Sequence, residues 1–340
     1  MNILLIQLKR IGDLVLTTPA IAAVREKFPR AKLSLAISSG CAELLPAIGG
    51  IDRALIVRGN VKDAARWFAV VARRFEYCVD FTHNDRSAFL TMLSGAAKRI
   101  TATHVELQSK LRAKSYNELV QTKLRALHTI DTHLALLEPL GIHDASATIR
   151  LDLPEATLVA TDRLLSEQNV QGDFVLVHPG SARAEKFWEP ERWAEVIDHT
   201  VRELQLPCVL TGASSGVEQA HITAIKSRAR SRIVDLSGRT DLLTLAALVQ
   251  RARLLVAVDS APMHFAAAFG TPQIALFGPT NPFHWRPRTS TAVVLHGESN
   301  APITEFLPKR PRAAMSLIST KAVIDGMESL LSASAAPRHE

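Results

Sequence analysis

The sequence predicts an α/β protein made of two doubly wound parallel sheets in tandem, and three observations carry that reading. Short apolar runs alternate with longer amphipathic stretches, the pattern of strands feeding crossover helices. The 340 residues exceed what one domain of ordinary size needs. Glycine, serine, proline and aspartate gather just after the apolar runs, where open α/β sheets bind their ligands.

Asn2 to Leu8 is almost wholly apolar, as expected of a strand buried on both faces. The next strands fall at Lys32 to Ile37, Ala54 to Val57, Tyr77 to Phe81 and Arg99 to Thr101, with helices such as Ala20 to Phe28 and Lys62 to Arg74 between them. A second series starts at Phe174 to His178 and continues through Cys208 to Thr211, Ile233 to Leu236, Leu254 to Val258 and Gln273 to Phe277. Its helices are Glu191 to Leu204, Val217 to Arg228, Leu242 to Arg251 and Met263 to Phe269. The stretch from His143 to Gly172 reads as the connection, giving domains 1–160 and 161–340, with the last helix free to pack back on the first domain. The tail from Ser332 is expected to fray.

Hydrophobic residues make up 47% and charged residues 21%, which excludes a disordered chain. Net charge is +7, and the excess lies in the first half, where residues 1–150 hold 21 Lys and Arg against 13 Asp and Glu. An anionic partner is expected to meet that half. Cys41, Cys78 and Cys208 are far apart, without metal or disulfide spacing. The opening MNILLIQLKRIGD puts its apolar run before its basic residues, the reverse of a secretory signal, and no run approaches a membrane span. The expectation is a cytoplasmic protein, with association at a membrane surface left open.

Neither GxGxxG nor GxxxxGK occurs, so nicotinamide-dinucleotide and P-loop chemistries lose their main support. Gly12 and Asp13 follow the first strand and lead into a helix whose first turn holds Thr17, Thr18 and Pro19. Asp13 is read either as a helix cap or as a base for an acceptor hydroxyl. In the second half His178, Pro179, Gly180 and Ser181 form a tight loop after a strand, with Lys186 shortly beyond. A lysine there suits a diphosphate, although a solvated lysine is the simpler account. Asp259 or Ser260 can cap the helix that Pro262, Met263 and His264 begin, and the same turn aims amides at a phosphate. His128, Asp131 and His133 lack recognised ligand spacing and no DxD pair is present, so metal-independent chemistry is expected, with no cofactor.

These residues resemble glycosyltransferase family 9, the lipopolysaccharide heptosyltransferases. The resemblance rests on ILLIQLKRIGDLVLTTPAIAAV, HPGSARAEKFWEPERWAEVI, LSGRTDLLTLAALV and VDSAPMHFAAAFGTPQIALFGPTNPFHWRP, in the family's order and spanning both domains. IGDLVLTTP and DSAPMHFAAA look closest to the type III enzymes, which add a branching heptose to the inner core. The resemblance implies a GT-B fold of two facing Rossmann-like domains, the acceptor on the first and the donor on the second. It implies transfer from ADP-L-glycero-D-manno-heptose to the lipopolysaccharide core, with inversion and without a metal. Asp13 matches the family's base and Lys186 its diphosphate lysine. Asp259, Ser260 and His264 match the donor loop, and Glu218 matches an acidic residue on the adenosine ribose. Ser260, Ala261 and Pro262 stand where type I enzymes carry Thr-Gly, leaving one backbone donor fewer.

The donor set expected is therefore His178, Gly180, Ser181, Lys186, Glu218, Gly238, Asp259, Ser260, Met263 and His264, with the base near Leu236 to Leu242. The acceptor set is Gly12, Thr17, Lys110, Arg112 and Lys114, the last three lying in a basic segment from Lys98 to Arg125 with few strand signals. A protein peripheral to the inner face of the inner membrane, without nucleic-acid partners, follows from that reading. Its rivals are a nucleotide-sugar hydrolase or epimerase on the same fold, and a non-catalytic glycolipid-binding protein.

Overall fold

Strand β1 (Asn2–Gln7) is buried along nearly its whole length and pairs in parallel with a neighbour on each side, which explains its continuous apolar run. The structure, a computed structural model, describes residues 1–58, 75–122 and 126–334. The helix expected at Lys62 to Arg74 lies outside those residues, as do Lys123, Arg125 and the last residues of the tail. The chain divides into Met1–Asp152 and Leu153–Glu340.

In the first unit β2 (Lys32–Ser38), β3 (Arg53–Val57), β4 (Tyr77–Asp80), β5 (Lys98–Ala102) and β6 (Glu118–Val120) join β1 in the order β3-β2-β1-β4-β5-β6, all parallel. The described helices are α1 (Ile11–Val15), α2 (Thr18–Lys27), α3 (Asp85–Leu93), α4 (His104–Gln108), α5 (Lys110–Ala113) and α6 (Thr129–Ala135). The described part of the basic segment, residues 98–122, forms β5, α4, α5 and β6, although its charges mask the alternation that marks a strand.

The second unit repeats the topology. Its strands are β7 (Val175–His178), β8 (Cys208–Leu210), β9 (Ile233–Asp235), β10 (Leu254–Val258), β11 (Gln273–Phe277) and β12 (Ala292–His296). Their order, β12-β11-β10-β7-β8-β9, is the first unit's arrangement with β7 in the place of β1 and β10 in that of β4. Helix α7 (Glu155–Glu167) begins the unit, followed by α8 (Pro190–Arg202), α9 (Gly216–Lys226), α10 (Leu242–Arg251), α11 (Ala261–Phe269) and α12 (Thr320–Ser334). Proline opens α8, and Trp193, Val196, Ile197 and Thr200 then recur at helical spacing on its buried face. Trp193 meets Trp188 edge to face at 5.2 Å, beneath the sheet.

One expectation about domain limits changes, and one left open is decided. A boundary at 160/161 would cut α7, which runs unbroken through that point and packs on α10, so the division falls at Asp152/Leu153. The C-terminal helix α12, left free to pack on the first domain, buries Ala322, Val323, Met327 and Leu331 in the core around Val256 and Leu276 of the second unit.

Candidate active site

Each sheet reverses its winding between its two central strands, and there the connections part to leave a crevice beyond the carboxyl ends. In the first unit β1 and β4 flank this point. The two following loops are tied together, since the Leu8 amide donates to Thr82 Oγ1 at 2.7 Å. Asp80 is fully buried and organises the second loop: Oδ1 accepts from the amides of Thr82 (2.7 Å) and His83 (3.3 Å), and Oδ2 accepts from the Tyr116 hydroxyl (2.6 Å). Burial raises its pKa despite these bonds.

Asp13 lies in the first turn of α1, and its Oδ2 accepts from the Arg10 amide at 3.2 Å. The helix-end reading of Asp13 is therefore real, and it uses one oxygen only. Oδ1 is buried without a hydrogen-bond partner. Burial raises the carboxyl pKa, opposed by the charge of Lys9, the Arg10 amide and the charge of Arg10. A carboxylate with one vacant oxygen in the helical turn after β1 can, when ionised, take a proton.

Thr17 stands behind this group and does not line the crevice as expected of an acceptor residue. It is fully buried; its hydroxyl donates to Asp13 O at 2.7 Å and accepts from Gln7 Nε2 at 2.9 Å. His133 Nδ1 lies 3.2 Å from both Thr17 Oγ1 and Leu16 O, and His128 Nδ1 accepts from the Ile130 amide at the start of α6. Gly12 is half-buried within α1. In the basic segment Arg112 is engaged internally, donating to Asp85 Oδ1 (2.8 Å), His83 O (2.9 Å) and Gln108 Oε1 (2.8 Å). Lys110 and Lys114 remain exposed, and between them Leu111 is 78% exposed.

In the second unit β7 and β10 flank the equivalent point. Here two charges meet across it: Lys186 Nζ donates to Asp259 Oδ2 at 2.6 Å and to Asp259 O at 3.0 Å, with both side chains about nine-tenths buried. Asp259 therefore pairs with lysine and does not cap α11. Ser260 occupies the cap position but donates its hydroxyl to Val258 O at 3.1 Å, so no side chain satisfies the first amides of α11. Pro262 has no amide hydrogen and the Met263 amide donates to Ser260 O at 3.2 Å, which leaves the Ala261 amide to meet an anion. His264 is buried in the first turns of α11, and its Nδ1 has no partner. Burial lowers its pKa to about 4, against the pull of Asp259.

The HPG loop is built by exclusion. Glu218 reaches from α9 to accept the Ala213 amide at 2.9 Å, and its carboxylate occupies the space a side chain at position 180 would need. A side chain at position 180 would have to displace that carboxylate. His178 Nδ1 lies 3.0 Å from Thr211 Oγ1, and burial lowers its pKa to about 4. Ser181 is half-buried on this loop. Gly238 takes φ +69° in the exposed turn after β9, a backbone conformation suited to glycine. Met263, expected at the donor, is instead fully buried with Ala275, Phe277 and Val294.

Sequence reasoning missed Asp80, Thr82, His83 and His104. For Thr82 and His83 the signal was present in FTHND after the fourth strand, which obeys the same rule that singled out the other post-strand segments.

Two tandem units of this topology, each with polar residues gathered at its winding reversal, make up a GT-B-like fold. The model of glycosyltransferase family 9 (heptosyltransferase) matches residues 65–307, and the chain belongs to that family. It is similar to Lipopolysaccharide heptosyltransferase 3 of Escherichia coli, with 26% identity over 333 residues covering 95% of this chain and 97% of that one. Among solved structures it is similar to a family 9 glycosyl transferase from Veillonella parvula (TM-score 0.84, 23% identity, 98% and 97% of the two chains). It also shares its fold with the E. coli ADP-heptose lps heptosyltransferase II (TM-score 0.78, 19% identity, 99% and 100%).

Proposed function

We propose that this heptosyltransferase moves heptose from ADP-L-glycero-D-manno-heptose to a hydroxyl of the lipopolysaccharide inner core, inverting the anomeric centre and using no metal. The observation that carries the reading is the Asp13 carboxylate, buried at the end of β1 with one oxygen unpartnered. Asp13 takes the acceptor hydroxyl proton as that oxygen forms its bond to the anomeric carbon. The bond from that carbon to the diphosphate breaks on the opposite side and its electron pair leaves with ADP. Lys186 exchanges Asp259 for the diphosphate, and the Ala261 amide at the start of α11 meets the same charge.

The remaining donor contacts follow from position. His264 and Asp259 reach sugar hydroxyls, Ser181 and the Gly180 backbone approach the phosphates, and Glu218 and the turn at Gly238 receive the nucleoside. Solved structures of E. coli heptosyltransferase WaaC with ADP and with ADP-2-deoxy-2-fluoro heptose share the fold at a TM-score of 0.71, which supports an ADP-linked donor.

The acceptor is a lipid, and the exposed Lys110, Leu111 and Lys114 offer charge and an apolar anchor to the inner face of the inner membrane. Among the described residues no helix is long and apolar enough to cross a membrane. The reading is a cytoplasmic protein peripheral to that membrane, supported by the exposed Lys110, Leu111 and Lys114.

The test is the product. Purified protein, ADP-heptose and a de-acylated core oligosaccharide, with chelator present, should yield an oligosaccharide one heptose heavier, whose new linkage by NMR is inverted relative to the donor. Free heptose or an epimerised nucleotide sugar as the sole product would point to the hydrolase or epimerase reading, and no product at all to a binding protein.

A further inference from the structure

Among the described residues of the first unit, one non-glycine residue adopts a left-handed backbone: His83, at φ +63°, in the loop after β4. Such conformations persist where the surroundings hold them, and they collect at functional sites. Here the Asp80 carboxylate accepts the His83 amide, and the Arg112 guanidinium donates to the His83 carbonyl.

The ring is fixed as well. Thr101, on neighbouring β5, donates its hydroxyl proton to the Asp80 carbonyl at 3.2 Å, because a carbonyl only accepts. The Thr101 oxygen is therefore left to accept from His83 Nδ1, 2.7 Å away. With the hydroxyl proton directed at that carbonyl, the neutral ring carries its proton on Nδ1 and a bare lone pair on Nε2. Burial and the nearby charges of Lys9 and Arg112 oppose protonation of that second nitrogen. The ring of His104 packs perpendicular to it at a centroid distance of 4.7 Å, which sets its tilt. Nε2 makes no hydrogen bond to a described residue, and the side chain keeps a small exposed face.

A fixed acceptor nitrogen selects a ligand that brings a proton. A phosphate dianion brings none, whereas a sugar hydroxyl does. Asp13 and His83 follow β1 and β4, adjacent strands that pair Ile6 with Asp80 near their ends, and both groups feel the Lys9 ammonium. We propose that His83 Nε2 accepts a hydrogen bond from a ring hydroxyl of the acceptor sugar, beside the hydroxyl that Asp13 deprotonates, and so determines which hydroxyl attacks. This assignment rests on the proposed transfer to a sugar acceptor.

Calorimetric titration with a de-acylated, heptose-containing core oligosaccharide, in the presence of ADP, tests it. His83→Asn keeps a residue that tolerates the left-handed backbone and withdraws the ring nitrogen. It should weaken oligosaccharide binding by about tenfold or more, with ADP affinity unchanged. Thr101→Val, which frees the ring to change tautomer, should weaken it severalfold, and Thr101→Ser should restore it. Wild-type affinity in His83→Asn would overturn the contact, and Thr101→Ser binding as weakly as Thr101→Val would overturn the tautomer lock. Absence of oligosaccharide binding by the wild type would also overturn the contact. Binding that depends on His83, in a protein that transfers no heptose, would uphold the contact and overturn the transfer reading.

Discussion

The two winding reversals share a topology and differ in how charge is stored. In the second unit, Lys186 and Asp259 neutralise one another across the crevice at 2.6 Å, beside a helix start whose amides no side chain caps. In the first, Asp13 is buried with an unpartnered oxygen, near histidines that burial keeps neutral. One arrangement is a lysine that can exchange one anion for another, suited to holding and releasing a diphosphate. The other is a set of desolvated groups with vacant acceptor positions, suited to moving a proton. The same 3-2-1-4-5-6 sheet thus carries two arrangements of charge, because the fold fixes only where loops end and the residues after β1, β4, β7 and β10 decide the rest.

The sharpest way to break this contrast is Asp13→Asn. Transfer should fall by about 10²- to 10⁴-fold while ADP still raises the Tm as in the wild type. The sign of the stability change separates base from cap. Because the folded-state pKa of Asp13 is raised, the folded protein holds that proton more tightly than the unfolded chain, and the associated stability is lost as pH rises through the folded value. Asparagine removes the buried charge and can still accept the Arg10 amide, so thermal melts at neutral pH should show an unchanged or higher Tm. A marked fall in Tm with nearly normal transfer would reduce Asp13 to a helix-end residue.

Lys186→Met addresses the other unit and should produce a smaller change. ADP affinity by calorimetry should drop about tenfold or more, with loss of the charge-assisted bond. The variant also strands Asp259, and removing one partner of a buried pair typically costs about 3–5 kcal/mol of stability. Lys186→Met/Asp259→Asn should recover much of that stability without recovering ADP affinity. Recovery of both would mean that the pair is structural.

The smallest effect is expected from the buried imidazoles. Burial lowers His133 to about 3 and His178 to about 4, from an ordinary 6.5. As pH falls from 6.5 towards 4 the unfolded chain takes up protons that the folded protein refuses, so stability is lost over that interval. Replacing His178 with Asn should flatten this loss by about a few degrees of Tm, and an unchanged slope would show that His178 is not held neutral.

Much of the fold is legible in the sequence. Strands β1, β10 and β11 announce themselves because burial on both faces demands unbroken apolar runs, and Asp13, Lys186 and Asp259 are found by looking just beyond such runs. What escaped depends on distant partners. Asp259 could be read as a cap until Lys186, 73 residues away in sequence, was seen to claim it. Charge pattern groups Arg112 with Lys110 and Lys114, yet only packing shows that Arg112 is engaged by Asp85 and His83. Thr17 and Met263 follow their motifs faithfully but point inward, one bracing Asp13 and the other filling the core. Short β6 and the charged stretch before it carry too little periodicity to be recognised as ordered.

Hydrogen exchange followed by mass spectrometry tests the division of labour most directly. ADP alone should slow exchange at residues 179–186, 213–218 and 259–264 and leave 9–13 and 82–84 unchanged. Adding de-acylated core oligosaccharide should then protect 9–13 and 82–84. Protection of 9–13 by ADP alone, or of 259–264 by oligosaccharide alone, would contradict the assignment of donor and acceptor to separate units.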